Sequence, residues 1–150
     1  MAKTAGEKRL FVDTNILAYI SLVNSPFHLA AQNKLNDFLH QGFELWISRQ
    51  IIREYLVVMS RALAEQGAFD AAQLVADTEK LTTQFNIADD TDLVSKQLFQ
   101  LIEKYKVQGK PVHDCNIVAA MKINGISNLL TNNEADFKRY DEGIIVVSLK

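Results

Sequence analysis

The chain has a single cysteine, no long apolar run and no excess of positive charge. One thiol, Cys115, cannot form an internal disulfide; the fold must be held by its core, and the composition fits a reducing compartment. No stretch reaches the roughly 18 apolar residues of a membrane span. The opening residues, Met1-Ala2-Lys3-Thr4-Ala5-Gly6-Glu7-Lys8-Arg9, lack the apolar centre of a signal peptide, so a cytoplasmic protein without membrane association is expected. A formal net charge of −2 excludes a global field that draws the molecule to nucleic acid, and any such surface has to be local. Internal repeats, low-complexity tracts and linkers are also missing. With 150 residues and 48% hydrophobic content, the chain suffices for one domain with a substantial core. A single domain over residues 1–150 is expected, with 1–8 as a disordered tail.

What is present alternates between short apolar runs and longer amphipathic stretches. Leu10-Phe11-Val12 is continuous and suits a strand buried on both faces, and Phe43 to Ile47, Phe85 to Ala88, Leu129-Leu130 and Ile144 to Val147 read as further strands. Between them, helices are expected from Ile16 to Val23 and around Ala31, Leu35, Phe38 and Leu39. Ser48 caps a long helix with the stripe Ile52, Tyr55, Leu56, Met59, Ala62 and Leu63. Further helices start at Asp70 and behind an Asp89-Asp90-Thr91 cap, the latter running to Gly109. Pro111 opens a helix over Val112 to Asn124 that is apolar nearly all round and so belongs inside. Strands alternating with helices predict an α/β three-layer sandwich: a central, mostly parallel sheet of about five strands flanked by helices.

In an open parallel sheet, ligands bind beyond the carboxyl ends of the strands. Asp13 and Asn15 follow the first strand, where Asp13 also suits a plain helix cap. Glu54 lies within the long helix, at the margin of its apolar stripe, where a solvated glutamate is the alternative. Asp114 sits in the first turn of the apolar helix, and a carboxylate beside buried residues needs a partner. Asp136 follows the strand that ends at Thr131-Asn132-Asn133, or caps a short helical turn. Taken together, the four acids offer hard oxygen ligands without Cys or His, which select Mg²⁺ or Mn²⁺ over zinc. Such ions coordinate phosphate oxygens and lower the pKa of a bound water, the chemistry of phosphodiester hydrolysis. Arg49, Arg53 and Arg61, with Lys138 and Arg139 near Asp136, are candidates for phosphate contact, and ordinary solvated faces look the same. His113 reads as a surface residue and Cys115 as packing, since no histidine-based activation pattern accompanies the thiol. A haloacid-type phosphatase needs a second Asp where Asn15 stands, and a phospho-receiver domain needs an acidic pair after the first strand that is missing.

Four segments carry a family resemblance. Phe11-Val12-Asp13-Thr14-Asn15-Ile16-Leu17, Ser48-Arg49-Gln50-Ile51-Ile52-Arg53-Glu54-Tyr55, Val112-His113-Asp114 with Val118-Ala119-Ala120-Met121, and Leu129-Leu130-Thr131-Asn132-Asn133 with Asp136-Phe137 resemble the PIN-domain, VapC-like toxins in order and spacing. The resemblance implies a metal-dependent endoribonuclease of a toxin–antitoxin pair, a homodimer held in check by a small antitoxin protein. It implies Asp13 and Asp114 as principal metal ligands, Glu54 as the third acid, and Asn15 and Thr131 as supports. Many relatives carry an Asp where this chain has Asn133. The fourth acid is therefore assigned to Asp136, with Asn133 as a neutral oxygen ligand or water holder. A non-catalytic PIN-fold module for RNA binding or assembly is the alternative within the same fold.

Overall fold

The apolar runs become neighbouring parallel strands because the intervening helices return the chain to the same edge, and the central run Leu10-Phe11-Val12 is covered on both sides. A computed structural model describes residues 8–150. Its elements, in order, are β1 (Arg9–Val12), α1 (Thr14–Ser21), α2 (His28–His40), β2 (Glu44–Ser48), α3 (Arg49–Glu65), α4 (Ala71–Thr82), β3 (Asn86–Ala88), α5 (Asp92–Tyr105), α6 (Pro111–Ile123), β4 (Asn128–Leu130), a 3₁₀ turn (Glu134–Phe137) and β5 (Ile145–Val147). The expected tail falls on residues 1–7, outside the described residues, apart from Lys8. That residue is anchored: its Nζ donates to the Gln41 carbonyl at 2.7 Å, and its own carbonyl accepts from Glu44 N at 2.8 Å.

The five strands lie in the order β3-β2-β1-β4-β5, and all four pairings are parallel. The chain therefore winds outward from β1 to one edge, then returns to β1 and winds outward to the other. That reversal opens a crevice between the carboxyl ends of β1 and β4, the usual ligand position in such sheets. The order also differs from the 2-1-3-4-5 order of receiver-type domains. The core consists of Leu10, Phe11 and Val12 of β1, Ile47 of β2, Leu129 and Leu130 of β4, and the inward residues of α6, all buried. Helix α6 buries Cys115, Ile117, Val118, Ala119, Ala120 and Met121, as its all-round apolar sequence predicts. Burial pushes the Cys115 thiol up, in keeping with packing rather than nucleophilic use.

Local chemistry sets the helix starts. Ser48 accepts from Ile51 N, Asp70 from Gln73 N and Thr91 from Val94 N, three side-chain caps at the expected places. At the last of these, the hydroxyl of Thr91 alone does the capping. Asp89 and Asp90 pair instead with Arg49 at 3.0 Å and Arg53 at 3.2 Å across the surface. Helix α5 ends at Tyr105 rather than at Gly109, because Lys106 itself takes the left-handed conformation, φ 54°, and closes the last turn with its N–H on the Ile102 carbonyl.

One ionic lock was not expected from the sequence. Glu142, whose side chain is only 5% exposed, accepts from Lys104 at 2.7 Å, from the Tyr105 hydroxyl at 2.6 Å and from Lys122, so a single carboxylate ties α5, α6 and the approach to β5. Hydrogen bonds from Lys104 and Lys122, followed by that from Tyr105, hold its carboxyl down from 4.5 to about 2. A depressed folded-state value stabilises above the ordinary carboxylate range and is lost as pH falls towards the folded value. Because the lysines are solvent-screened, Glu142→Gln is expected to cost about 1 to 2 kcal/mol at neutral pH. Urea denaturation of both proteins checks this: the difference should narrow as pH falls from 5 to 2, and an equal stability at pH 7 overturns it.

Candidate active site

Asp13 stands at the end of β1, 5% exposed, and caps α1 with Oδ1 accepting from Thr14 N at 2.7 Å. Its second oxygen leaves the cap and enters the crevice, accepting from the Thr131 hydroxyl at 2.7 Å and from Asn15 Nδ2 at 3.3 Å. The cap and the site are thus the same residue. Thr131, fully buried beyond β4, also accepts from Asn133 N at 3.0 Å, while Asn15 Oδ1 accepts from Asn132 N at 3.1 Å. Two backbone segments on either side of the switch point are stitched together around one carboxylate. Desolvation pushes the Asp13 carboxyl up; the Thr131, Thr14 and Asn15 bonds oppose this, and the charge of Glu54 adds to it.

Glu54 is half-buried on α3. Its Oε1 accepts from the Thr14 hydroxyl at 2.8 Å and its Oε2 from Gln50 Nε2 at 2.9 Å. It is therefore not a free solvated glutamate. Asp114 is half-buried in the first turn of α6, and among the described residues no hydrogen-bond donor or cation is paired with it. Burial, then the charges of Asp13, Asp136 and Glu54 in that order, push its carboxyl from 3.8 up to about 7. Asp136 lies exposed on the 3₁₀ turn, near enough to act on Asp114 through its charge. The fold therefore brings all four expected acids to one crevice. Among the described residues, however, no three Asp, Glu, His or Cys side chains converge closely enough to cage an ion as they stand. Asn133 is exposed, and its backbone rather than its side chain makes the contact with Thr131.

The basic candidates distribute differently. Arg49 and Arg53 are occupied by Asp89 and Asp90, which weakens their availability for phosphate. Arg61 is exposed without an acidic partner among the described residues, Lys138 is exposed, and Arg139 lies 6.0 Å from the Tyr140 ring centroid. His113 is exposed, as expected, but its carbonyl accepts from Gln50 at 2.8 Å. Thr14, Gln50 and Asn116 are site residues that the motif reading passed over. Gln50 precedes Glu54 by one helical turn, the spacing that puts two side chains on the same face, and this was the available signal. Cleft size does not mark the site: two clefts of about 360 and 420 Å³ lie elsewhere, around Ser21, Met59 and Leu63.

The sequence matches the PIN domain family over residues 10–143, nearly the whole chain, including every residue of the crevice. The chain belongs to the PIN-domain family. No curated protein sequence matches it. Among solved structures, this PIN domain resembles the VapBC2 complex of Rickettsia felis bound to a DNA fragment from its promoter, at 17% identity over 93% of this chain and 98% of that one, with a TM-score of 0.69. DNA-bound VapBC from Salmonella typhimurium is similar at 20% identity over 95% and 98% of the two chains, with a TM-score of 0.65. Mycobacterium tuberculosis VapC20, described as a toxin cleaving the sarcin-ricin loop, shares 19% identity over 80% and 86%, with a TM-score of 0.58. At such identities these likenesses concern the fold.

The donor set fits a hard divalent cation. Every candidate ligand is a carboxylate or amide oxygen, and the burial and acidic neighbours of Asp114, which has no partner among the described residues, are what a cation would offset. Asp13 and Asp114 would hold it, with Glu54 and Asp136 around them.

Proposed function

We propose that this PIN domain is a divalent-metal-dependent endoribonuclease, the toxin of a toxin–antitoxin pair. The observation that carries the reading is Asp114: a half-buried carboxylate without a pairing partner among the described residues, faced by three further acids at the switch point of a parallel sheet. Such a group is costly unless a cation joins it. Bound Mg²⁺ or Mn²⁺ supplies neutralisation of phosphate charge and activation of the attacking water. The chain contributes the rest. Asp13 is immobilised by the Thr14 amide, the Thr131 hydroxyl and Asn15, so its free lone pairs keep one direction. Glu54 is fixed by Thr14 and Gln50, Asp136 adds its charge to that of Asp114, and Asn133 is assigned the part of a neutral oxygen ligand or water holder.

Water attack at phosphorus forms a new P–O bond and expels the 3′ oxygen, which takes up a proton. The products carry a 5′-phosphate and a 3′-hydroxyl. Of the basic candidates, Arg61, Lys138 and Arg139 have no acidic partner among the described residues and are assigned to the RNA backbone. The toxin–antitoxin complex among the structures of similar fold supports a cognate antitoxin as partner; a homodimer as the working form and the cytoplasm as its place belong to the same proposal. No helix among the described residues is long and apolar enough to cross a membrane.

The test is incubation of purified protein with structured RNA and, separately, with an aryl phosphate, each with Mg²⁺, Mn²⁺ or chelator. RNA cleavage that needs the metal and leaves 5′-phosphate ends is expected. Cyclic-phosphate ends overturn the water mechanism, hydrolysis of the aryl phosphate alone turns the reading to a phosphatase, and inertness towards both turns it to a binding module.

A further inference from the structure

The least exposed amide at the crevice belongs to Gln50, 5% exposed on the first turn of α3. Its Nε2 donates to Glu54 Oε2 at 2.9 Å and to the His113 carbonyl at 2.8 Å, and its Oε1 accepts from Asn116 Nδ2 at 2.8 Å. The orientation of the amide is dictated, because a backbone carbonyl and a carboxylate can only accept. Both N–H groups are consumed on one side and the oxygen on the other. His113 and Asn116 flank Asp114 in the first turns of α6, so this single side chain spans the gap between the helix carrying Glu54 and the helix carrying Asp114.

Among the described residues, the other hydrogen bond to Glu54 comes from the Thr14 hydroxyl on Oε1. With Gln50 removed, Glu54 Oε2 would lose its donor and the His113 carbonyl its bond across to α3, and Glu54 could rotate about its terminal bond. We propose that Gln50 is a positioning residue for the acidic site: it fixes Glu54 and the first turn of α6 in register, so that the Glu54 and Asp114 carboxylates are presented to the same cation. This rests on the metal-dependent reading above. Partners that orient metal-ligating side chains typically change metal affinity or activity by about 10- to 100-fold when removed.

The experiment uses Gln50→Met, which keeps length and volume but cannot donate, and Asn116→Ala, which removes the donor that holds the amide oxygen and so loosens the side chain. Mn²⁺ affinity is read by electron paramagnetic resonance on the full chain without RNA, and kcat and KM on RNA are measured alongside. Gln50→Met is expected to weaken Mn²⁺ binding about tenfold and to lower kcat by about 10- to 100-fold with KM little changed. Asn116→Ala should shift both in the same direction by less. Combined with Glu54→Gln, the Gln50→Met change should cost less than about twofold further, because the partner through which it acts is already altered. Unchanged Mn²⁺ affinity and kcat in a cooperatively folded Gln50→Met overturn the proposal, as do fully additive losses in the double variant, which indicate general structural support. Should Gln50→Met fail to fold, Asn116→Ala decides by the same criteria. A wild type that binds no Mn²⁺ and cuts no RNA overturns the metal-dependent reading itself, whereas a wild type that does both beside an unaltered Gln50→Met overturns only the positioning role.

Discussion

Asp13→Asn and Asp114→Asn are each expected to lower RNA cleavage by about a thousandfold or more, equivalent to roughly 4 kcal/mol of transition-state stabilisation. Each substitution removes one negative charge from the crevice at nearly constant side-chain size. The two should differ in what they do to the fold. Asp114 has no hydrogen-bond partner to lose among the described residues, so its near-isosteric replacement should leave packing untouched. Asp13→Asn turns one acceptor oxygen into a donor among Thr14 N, Thr131 and Asn15, and should cost about 1 to 2 kcal/mol of stability as well. Cleavage assays with Mg²⁺, alongside circular dichroism to establish folding, check both. Full activity in both variants would remove the carboxylates from the mechanism.

The second large effect concerns stability without metal. Asp114 is pushed from 3.8 up to about 7, so the folded state holds a proton that the unfolded chain has already released. A raised carboxylate value costs stability progressively as pH climbs from the unfolded value to the folded one, and the penalty is complete above it. For a fully buried group a rise of that size corresponds to roughly 4 kcal/mol. Asp114 is half-buried, and solvent screening reduces this to about 1 to 2 kcal/mol. In chelator at pH 7.5, Asp114→Asn should therefore melt a few degrees above wild type. That gap should close as pH falls towards 4, and Mg²⁺ should erase it from the other side by raising the wild type through binding to the folded state. Thermal melts across pH, with and without Mg²⁺, measure all three trends. A variant that melts below wild type in chelator would show that Asp114 serves mainly as a first-turn helix residue.

The parts of this fold legible in the sequence are those set locally. Ser48, Asp70 and Thr91 cap helices through partners three residues away, and α6 declares its burial by lacking a polar face. Asp13 and Thr131 were legible because strand ends can be read from apolar runs, and strand ends in parallel sheets share one edge. What the sequence concealed depends on packing between distant segments. Gln50 meets His113 and Asn116 only because α3 and α6 approach one another, 63 and 66 residues apart in the chain. Glu142 finds lysines 38 and 20 residues away, and no spacing rule connects them. Arg49 and Arg53 looked like phosphate contacts until β3 laid Asp89 and Asp90 beside them. The close of α5 was misplaced because Lys106, not a glycine, adopted the left-handed turn.

The Thr131–Asp13 bond joins residues 118 positions apart, and its formation requires β4 to add to β1 after every other element except the final turn and β5 has been synthesised. At elongation rates of about 5 to 20 residues per second, Asp13 waits several seconds on a ribosome before Thr131 can reach it. Throughout that interval the first half of the crevice exists without the hydroxyl that orients it, and a chain arrested before β4 also lacks Asp136. The site is thus completed by closing a span of 118 residues, so competence waits on the synthesis of β4 and the turn behind it.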